Sequence, residues 1–180
     1  MGEQVALVPL RCIQCETAIP AGLEEAAWVC RQCGQGLALD EEKGLLPLQV
    51  YYHASIPLNQ PGKPYWMVEG TVQLNRQVYG GKNETQVAAV FWSQPRRFFI
   101  PAYTCALEAL ISLGPRLLLN PPALQPGPAV AFEPVTLSRR DLPAMAEVVA
   151  LAIEADRKDK IKQIGLKILL SEPILWILKD

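Results

Sequence analysis

The sequence predicts an α+β chain in two parts, a small four-cysteine unit at the N-terminal end followed by a mostly antiparallel sheet with two helices. Three observations lead there. Four of the five cysteines form two CxxC pairs between positions 12 and 33. Short apolar or alternating stretches bounded by Gly, Pro and Ser recur downstream, the pattern of strands and turns. Two further stretches, 104–113 and 141–157, carry the punctuation of helices. Half of the 180 residues are hydrophobic, which is enough for one medium domain with a small appendage.

Cys12-Ile13-Gln14-Cys15 and Cys30-Arg31-Gln32-Cys33 are separated by fourteen residues. A CxxC pair presents two sulfurs from one tight turn, and two such turns facing each other complete a tetrahedron around a metal. The spacer has room for a hairpin: Pro20-Ala21-Gly22 signals the turn, and Ala27-Trp28-Val29 reads as the strand that re-enters the second pair. Over about residues 9–40 the segment resembles the zinc-ribbon superfamily, with the four cysteines, Trp28 and Gly34 as the matching residues. The resemblance implies one structural zinc ion held by Cys12, Cys15, Cys30 and Cys33. It does not imply an activity, because ribbons occur in proteins of many functions. Four thiolates leave no open coordination position, so a catalytic zinc is not expected.

The charged run Asp40-Glu41-Glu42-Lys43-Gly44 is read as a boundary, giving a zinc ribbon over 1–43 and an α+β domain over 44–180. Strands are expected at 45–52 and 65–73, a turn at Gly80-Gly81-Lys82-Asn83, and a β-hairpin from 87–92 and 97–100 around Ser93-Gln94-Pro95-Arg96. A helix capped by Thr104 is expected to end at Gly114-Pro115. A strand at 130–137 precedes a second helix, capped by Ser138 or Asp141, with Pro143 in its first turn and a stripe of Leu142, Met145, Val149, Ala152 and Ile153. Segments 166–170 and 174–178 close the chain around Ser171-Glu172-Pro173. Phe91-Trp92-Ser93-Gln94-Pro95 echoes Leu169-Leu170-Ser171-Glu172-Pro173, so the domain is also read as a tandem duplication with halves at about 48–115 and 128–180. The alternative is that apolar-Ser-X-Pro is simply a common hairpin sequence.

No catalytic set stands out. Cys105 at a helix start would have a lowered pKa, but a nucleophile needs a base. The only histidine, His53, is about fifty residues away, so Cys105 is read as a buried small hydrophobe and His53 as a structural hydrogen-bonding group. The carboxylates at Glu24-Glu25, 40–42 and Asp156 with Asp159 are read as solvated. Arg96-Arg97-Phe98-Phe99 interleaves cations with aromatics, as surfaces that stack single-stranded bases do; against this, the net charge is −1.

The function expected is therefore a non-catalytic protein-interaction module or subunit of a cytoplasmic assembly, with nucleic-acid binding as the alternative. The charged fraction of 19% is below the roughly 25% usual for soluble domains, which suggests a surface covered by a protein partner or a second copy. The all-apolar Ile174-Leu175-Trp176-Ile177-Leu178 is either that surface, at a sheet edge, or a strand buried on both faces. Cytoplasm is expected because thiolates reserved for zinc need a reducing compartment and Met1 to Ala6 lacks a signal-peptide or myristoylation pattern. No transmembrane segment is expected: polar residues and Pro173 interrupt the longest apolar stretch.

Overall fold

In the computed structural model, residues 10–81 and 84–180 are described. Met1 to Ala6 and part of the turn expected at 80–83 lie outside them. The first strands are β1 (Ala27–Val29), β2 (Gly36–Asp40) and β3 (Gly44–Leu48), an antiparallel sheet in that order. The charged run after β2 is the turn of a hairpin: Asp40 Oδ1 accepts from the Glu42 and Lys43 amides at 3.1 and 2.9 Å. The strand expected over 45–52 is two strands. Its first part, β3, pairs with β2, and its second, β4 (Val50–Tyr52), joins another sheet.

That second sheet is registered on β5 (Lys63–Gly81), which is 19 residues long. It also contains β6 (Arg96–Pro101), β7 (Asp159–Leu170) and β8 (Ile174–Leu178), in the order β4-β8-β5-β6 with β7 pairing β5. All pairs are antiparallel except β4 with β8. β7 and β8 run one after the other along the same edge of β5, since Leu170 faces Gly70 and Ile174 faces Met67. Ser171-Glu172-Pro173 is thus an interruption between collinear strands and not a hairpin turn. The Glu69 amide donates to Ser171 Oγ at 3.0 Å, and the Ser171 amide donates back to Glu69 O at 2.8 Å. β8 lies between β4 and β5 and is an interior strand. Its apolar run follows from burial on both faces: Leu175 and Ile177 join one core cluster, Trp176 and Leu178 another.

Among the described residues the α-helices are α1 (Thr85–Trp92), α2 (Leu107–Leu119) and α3 (Leu142–Ala155), one more than expected. α1 replaces the first strand of the expected hairpin at 87–92. A short apolar run fits a strand or a buried helix equally well by periodicity, and here Ala88 and Trp92, four apart, turn inward. The Ser-X-Pro echo therefore follows a helix in one place and a strand in the other. α2 begins after Ala106 and continues through Pro115, past its expected end. Gly114 does not stop the helix; it allows α2 close to α3, because a Cβ there would lie 2.4 Å from Val149 Cγ2. The stripe expected on α3 is inward as read, with Leu142, Val149 and Ile153 buried, and Ser138 Oγ caps the short 3-10 turn at Arg139–Asp141 by accepting from the Arg140 amide.

Residues 130–137 form a strap and not a regular strand. The Ala26 amide donates to Val135 O at 2.7 Å, the Thr136 amide to Ala102 O at 2.7 Å, and Trp66 Nε1 to Leu137 O at 2.9 Å. The strap links the two sheets, and Ala27, Ala38 and Leu48 of the small sheet enter the same core cluster as Trp66, Phe98 and Val149. No helix among the described residues is long and apolar enough to cross a membrane.

Gly114→Leu is expected to destabilise the fold by about 1–3 kcal/mol through overpacking, read as a shift in the urea midpoint, with Val149→Ala in the same chain recovering part of the loss. Equal midpoints for Gly114→Leu and the parent would contradict the close α2–α3 approach.

Candidate metal centre and a buried charge network

The two CxxC turns are near copies of each other. In the first, the Glu16 amide donates to Cys12 O at 2.9 Å and the Cys12 amide to Thr17 O at 2.9 Å. In the second, the Gly34 amide donates to Cys30 O at 2.8 Å and the Cys30 amide to Gln35 O at 2.9 Å. Each turn closes through a left-handed residue directly after its second cysteine, Glu16 at φ 59° and Gly34 at φ 76°. Glycine takes that conformation without cost, whereas Glu16 carries its strain. Sequence reasoning found Gly34 and missed its counterpart, because nothing about a glutamate signals positive φ.

The result is that the Sγ atoms of Cys12, Cys15, Cys30 and Cys33 all lie within 4.8 Å of one another. Cys12 and Cys33 are 3.6 Å apart, Cys15 and Cys30 3.5 Å. These are too long for disulfides, and the cysteines are free thiols. The Gln14 amide points at Cys12 Sγ from 3.5 Å. Trp28 closes one wall, with its indole N–H on Glu25 Oε2 at 2.8 Å; the same oxygen accepts from the Gly22 amide and fixes the hairpin turn. The sulfurs titrate unequally. Thr17 lowers the Cys15 thiol to about 6. Cys33 rises to about 12: the Gln35 amide favours its anion, but desolvation and the other three sulfurs outweigh that. A metal ion held there would need all four sulfurs as thiolates.

The remaining candidates separate. Cys105 is exposed and precedes α2 instead of starting it, so it is not the buried hydrophobe expected. Desolvation by its neighbours still raises its pKa, with Lys63 lowering it in part, which is the wrong direction for a nucleophile. It lines an apolar-walled cavity of about 500 Å³ with Thr104, Leu110, Thr136 and Met145. Thr104 bonds Thr136 Oγ1 at 3.0 Å and caps no helix. His53 is fully engaged: Nδ1 accepts from the Ser55 amide at 3.1 Å, which leaves Nε2 to donate to Ala123 O at 2.7 Å. Phe98 and Phe99 are both buried, on opposite faces of β6. Arg96 lies over the Phe91 ring at 3.9 Å, and Arg97 is 3.4 Å from Glu69, so this stretch presents no stacking ring.

A second cluster, unforeseen in the sequence, lies behind β5. Arg76 of β5 makes a fork onto Asp159, Nη1 to Oδ2 at 3.0 Å and Nη2 to Oδ1 at 2.7 Å. Its Nε is 3.3 Å from Glu154 Oε2. Glu154 Oε1 accepts from Trp92 Nε1 at 2.7 Å and from Arg157 Nε at 2.8 Å. The side chains of Glu154 and Asp159 are both 0% exposed, so Asp159 is not the solvated helix-end carboxylate expected. The alternation Trp66, Val68, Val72, Leu74 carried two residues further would have turned Arg76 inward. Burial alone would raise the Asp159 carboxyl; the Arg76 fork and the Glu84 amide outweigh it and hold the pKa below the usual value. The network ties β5, β7, α1 and α3 together; such closed ion pairs set one arrangement more than they add stability.

No family model, curated protein or solved structure matches the chain.

Because the folded pKa of Asp159 is depressed, its contribution to stability is present above the unfolded value of about 3.9 and is lost as pH falls through the lower folded value. Urea midpoints of the parent should therefore drop in acid. Asp159→Asn is expected to be less stable at neutral pH and to converge on the parent below about pH 4. A constant gap between the two across pH would refute the pairing.

Proposed function

We propose that Cys12, Cys15, Cys30 and Cys33 hold one structural zinc ion, and that the chain is a non-catalytic interaction subunit of a cytoplasmic assembly. The observation that carries the metal reading is the convergence of four thiols on one point. A zinc ion with Zn–S near 2.3 Å places tetrahedral sulfurs about 3.8 Å apart, and the sulfur pairs at 3.5 and 3.6 Å lie close to that. Iron would fit the same four sulfurs in geometry; zinc is preferred because it needs no redox partner. With every coordination position on protein, the ion supplies folding free energy and binds no substrate.

The interaction reading is supported by the outer sides of the helices. Val87 and Val90 on α1, and Leu107 and Ile111 on α2, are exposed. Apolar side chains left exposed on two helices are available to a protein partner. Catalysis has little support in the same places: the Cys105 thiol, which shares its cavity with Glu24, is shifted upward, and both His53 nitrogens are hydrogen-bonded. Reduced thiols support the cytoplasmic setting.

Metal analysis of purified protein should return one zinc per chain, and Cys12→Ser or Cys33→Ser should abolish stoichiometric binding. The melting temperature of the whole chain should fall with the metal, because Ala27, Ala38 and Leu48 sit in the main core. Cys105→Ala should change neither zinc content nor partner binding. Leu107→Glu with Ile111→Glu should lose the partner captured by the parent from host lysate while keeping zinc. Stoichiometric zinc in a variant lacking all four cysteines would remove the metal reading, and partner capture indifferent to the helix variant would remove the interaction surface.

A further inference from the structure

The β5–β7 pair continues beyond the four-stranded part of the sheet as a two-stranded ribbon, from Thr71↔Leu169 to Gly81↔Asp159. One face is packed: Val72, Leu74 and Arg76 turn toward the helices. The other is open, with Gln73, Asn75 and Gln77 exposed on β5 and Gln163 and Lys167 exposed on β7. The register sets these side chains opposite one another, Gln73 by Lys167 and Gln77 by Gln163. Farther out, Lys160 and Lys162 are exposed, and Lys162 lies 5.7 Å from the ring of Tyr79, which is itself 75% exposed.

Two features of this face point to one kind of partner. From Gly70 to Gly81 β5 has no acidic residue, and the sole acid of β7, Asp159, is turned inward onto Arg76. At the base, Glu69 is already paired with Arg97. The face therefore carries amides and ammonium groups, with Thr71 opposite an exposed Leu169 at its base and Tyr79 at its far end, and no carboxylate, in a chain whose net charge is −1. Its shape is the second feature. A two-stranded antiparallel ribbon fits the major groove of B-form DNA, where Gln and Asn bond adenine edges and Lys bonds guanine. Alternate residues on a strand are about 6.7 Å apart, close to two base-pair steps of about 3.4 Å. The buried Arg76–Asp159–Glu154 network behind the ribbon holds the face in one shape, so little order is lost on docking.

We propose that this ribbon face binds double-stranded DNA in the major groove, with Lys160, Lys162 and Lys167 contacting phosphates or guanine and Gln73, Asn75 and Gln77 facing base edges. The surface is separate from the outer helix faces, so the subunit reading and this one stand or fall independently.

The test uses the full zinc-loaded chain and a fluorescent 20-base-pair mixed-sequence DNA duplex, followed by anisotropy from about 50 to 200 mM salt. Micromolar binding is expected, with a log–log salt slope of about −2 to −3 for up to three phosphate contacts. Lys162→Glu with Lys167→Glu should weaken it at least tenfold and flatten the slope by about two. Gln73→Ala with Asn75→Ala and Gln77→Ala should reduce discrimination among duplexes in a randomised pool with little change in slope. A charge-matched control, Lys43→Glu with Lys179→Glu, should bind as the parent does. All these side chains are exposed, and circular dichroism melts check that the variants fold. Duplex RNA, whose major groove is too narrow, should bind at least tenfold more weakly. No binding at 50 mM salt, an unaffected ribbon variant, or equal affinity for duplex RNA or single strands would overturn the proposal. Zinc content and partner capture on the same preparations show whether the subunit reading survives that result.

Discussion

Over residues 65–67, β5 is paired on both edges, with β8 on one and β6 on the other, and beyond Gly70 only β7 remains beside it. A strand this long must keep its two faces apart over its full length, since one slip in register exchanges them. Even-numbered positions from Trp66 to Arg76 face the helices, and Tyr65 and Met67 face the smaller cluster with Phe99 and Trp176. The placement of α1 and α3, the burial of Trp176 and the open ribbon all follow from this alternation. Two β-bulge-like shifts near Val78 come only beyond Arg76, where the apolar face has ended.

The inward face meets a difficulty at Arg76, where the helices offer no water. The solution is to bring two carboxylates from different elements to one guanidinium, with Trp92 and Arg157 on Glu154 Oε1, while Glu154 Oε2 and Arg76 Nε face each other at 3.3 Å without a hydrogen bond. An arrangement that needs four elements in place at once discriminates against near-native packings, even where an apolar core of the same volume would be as stable. The four-thiol unit solves a different shortage. Its own cluster is small, five buried residues of which Cys12 and Cys30 are two, and a segment that size needs a metal or another staple. The unit also leans on the strap at Val135, so the small sheet and the large one support one another.

Local chemistry was legible in the sequence, and long-range pairing was not. The two CxxC turns announced themselves because their spacing is set by coordination geometry. β1 and the apolar stripe of α3 were readable for a similar reason, since periodicity over a few residues decides them. The errors share a cause. Residues 87–92 are apolar at nearly every position, so no period separated helix from strand. Pro115 looks like a helix end, but the stripe Leu110, Gly114, Leu118 continues past it, and tertiary packing overrides the local cost. Ser171-Glu172-Pro173 looks like a hairpin turn until both flanking strands are seen to use the same partner strand. The ion network was hard to read because its members are separated along the chain, from Arg76 to Asp159, and only the inward parity of Arg76 in the β5 alternation pointed to it.

The pairing of Gly70 with Leu170 and of Lys63 with Leu178 has a consequence for how the chain is made. On a ribosome, β5 emerges long before the segments that will cover one of its edges, so β5 with β6 must wait as an incomplete sheet while the 77 residues from Ala102 to Leu178 are added. Pairings this distant in sequence are slow to form and leave unpaired edges and apolar faces open meanwhile. The four-cysteine unit is under no such delay, since its cysteines span only Cys12 to Cys33. Synthesis therefore yields a large sheet that closes last, one for which holding chaperones matter most in the interval between β6 and β8.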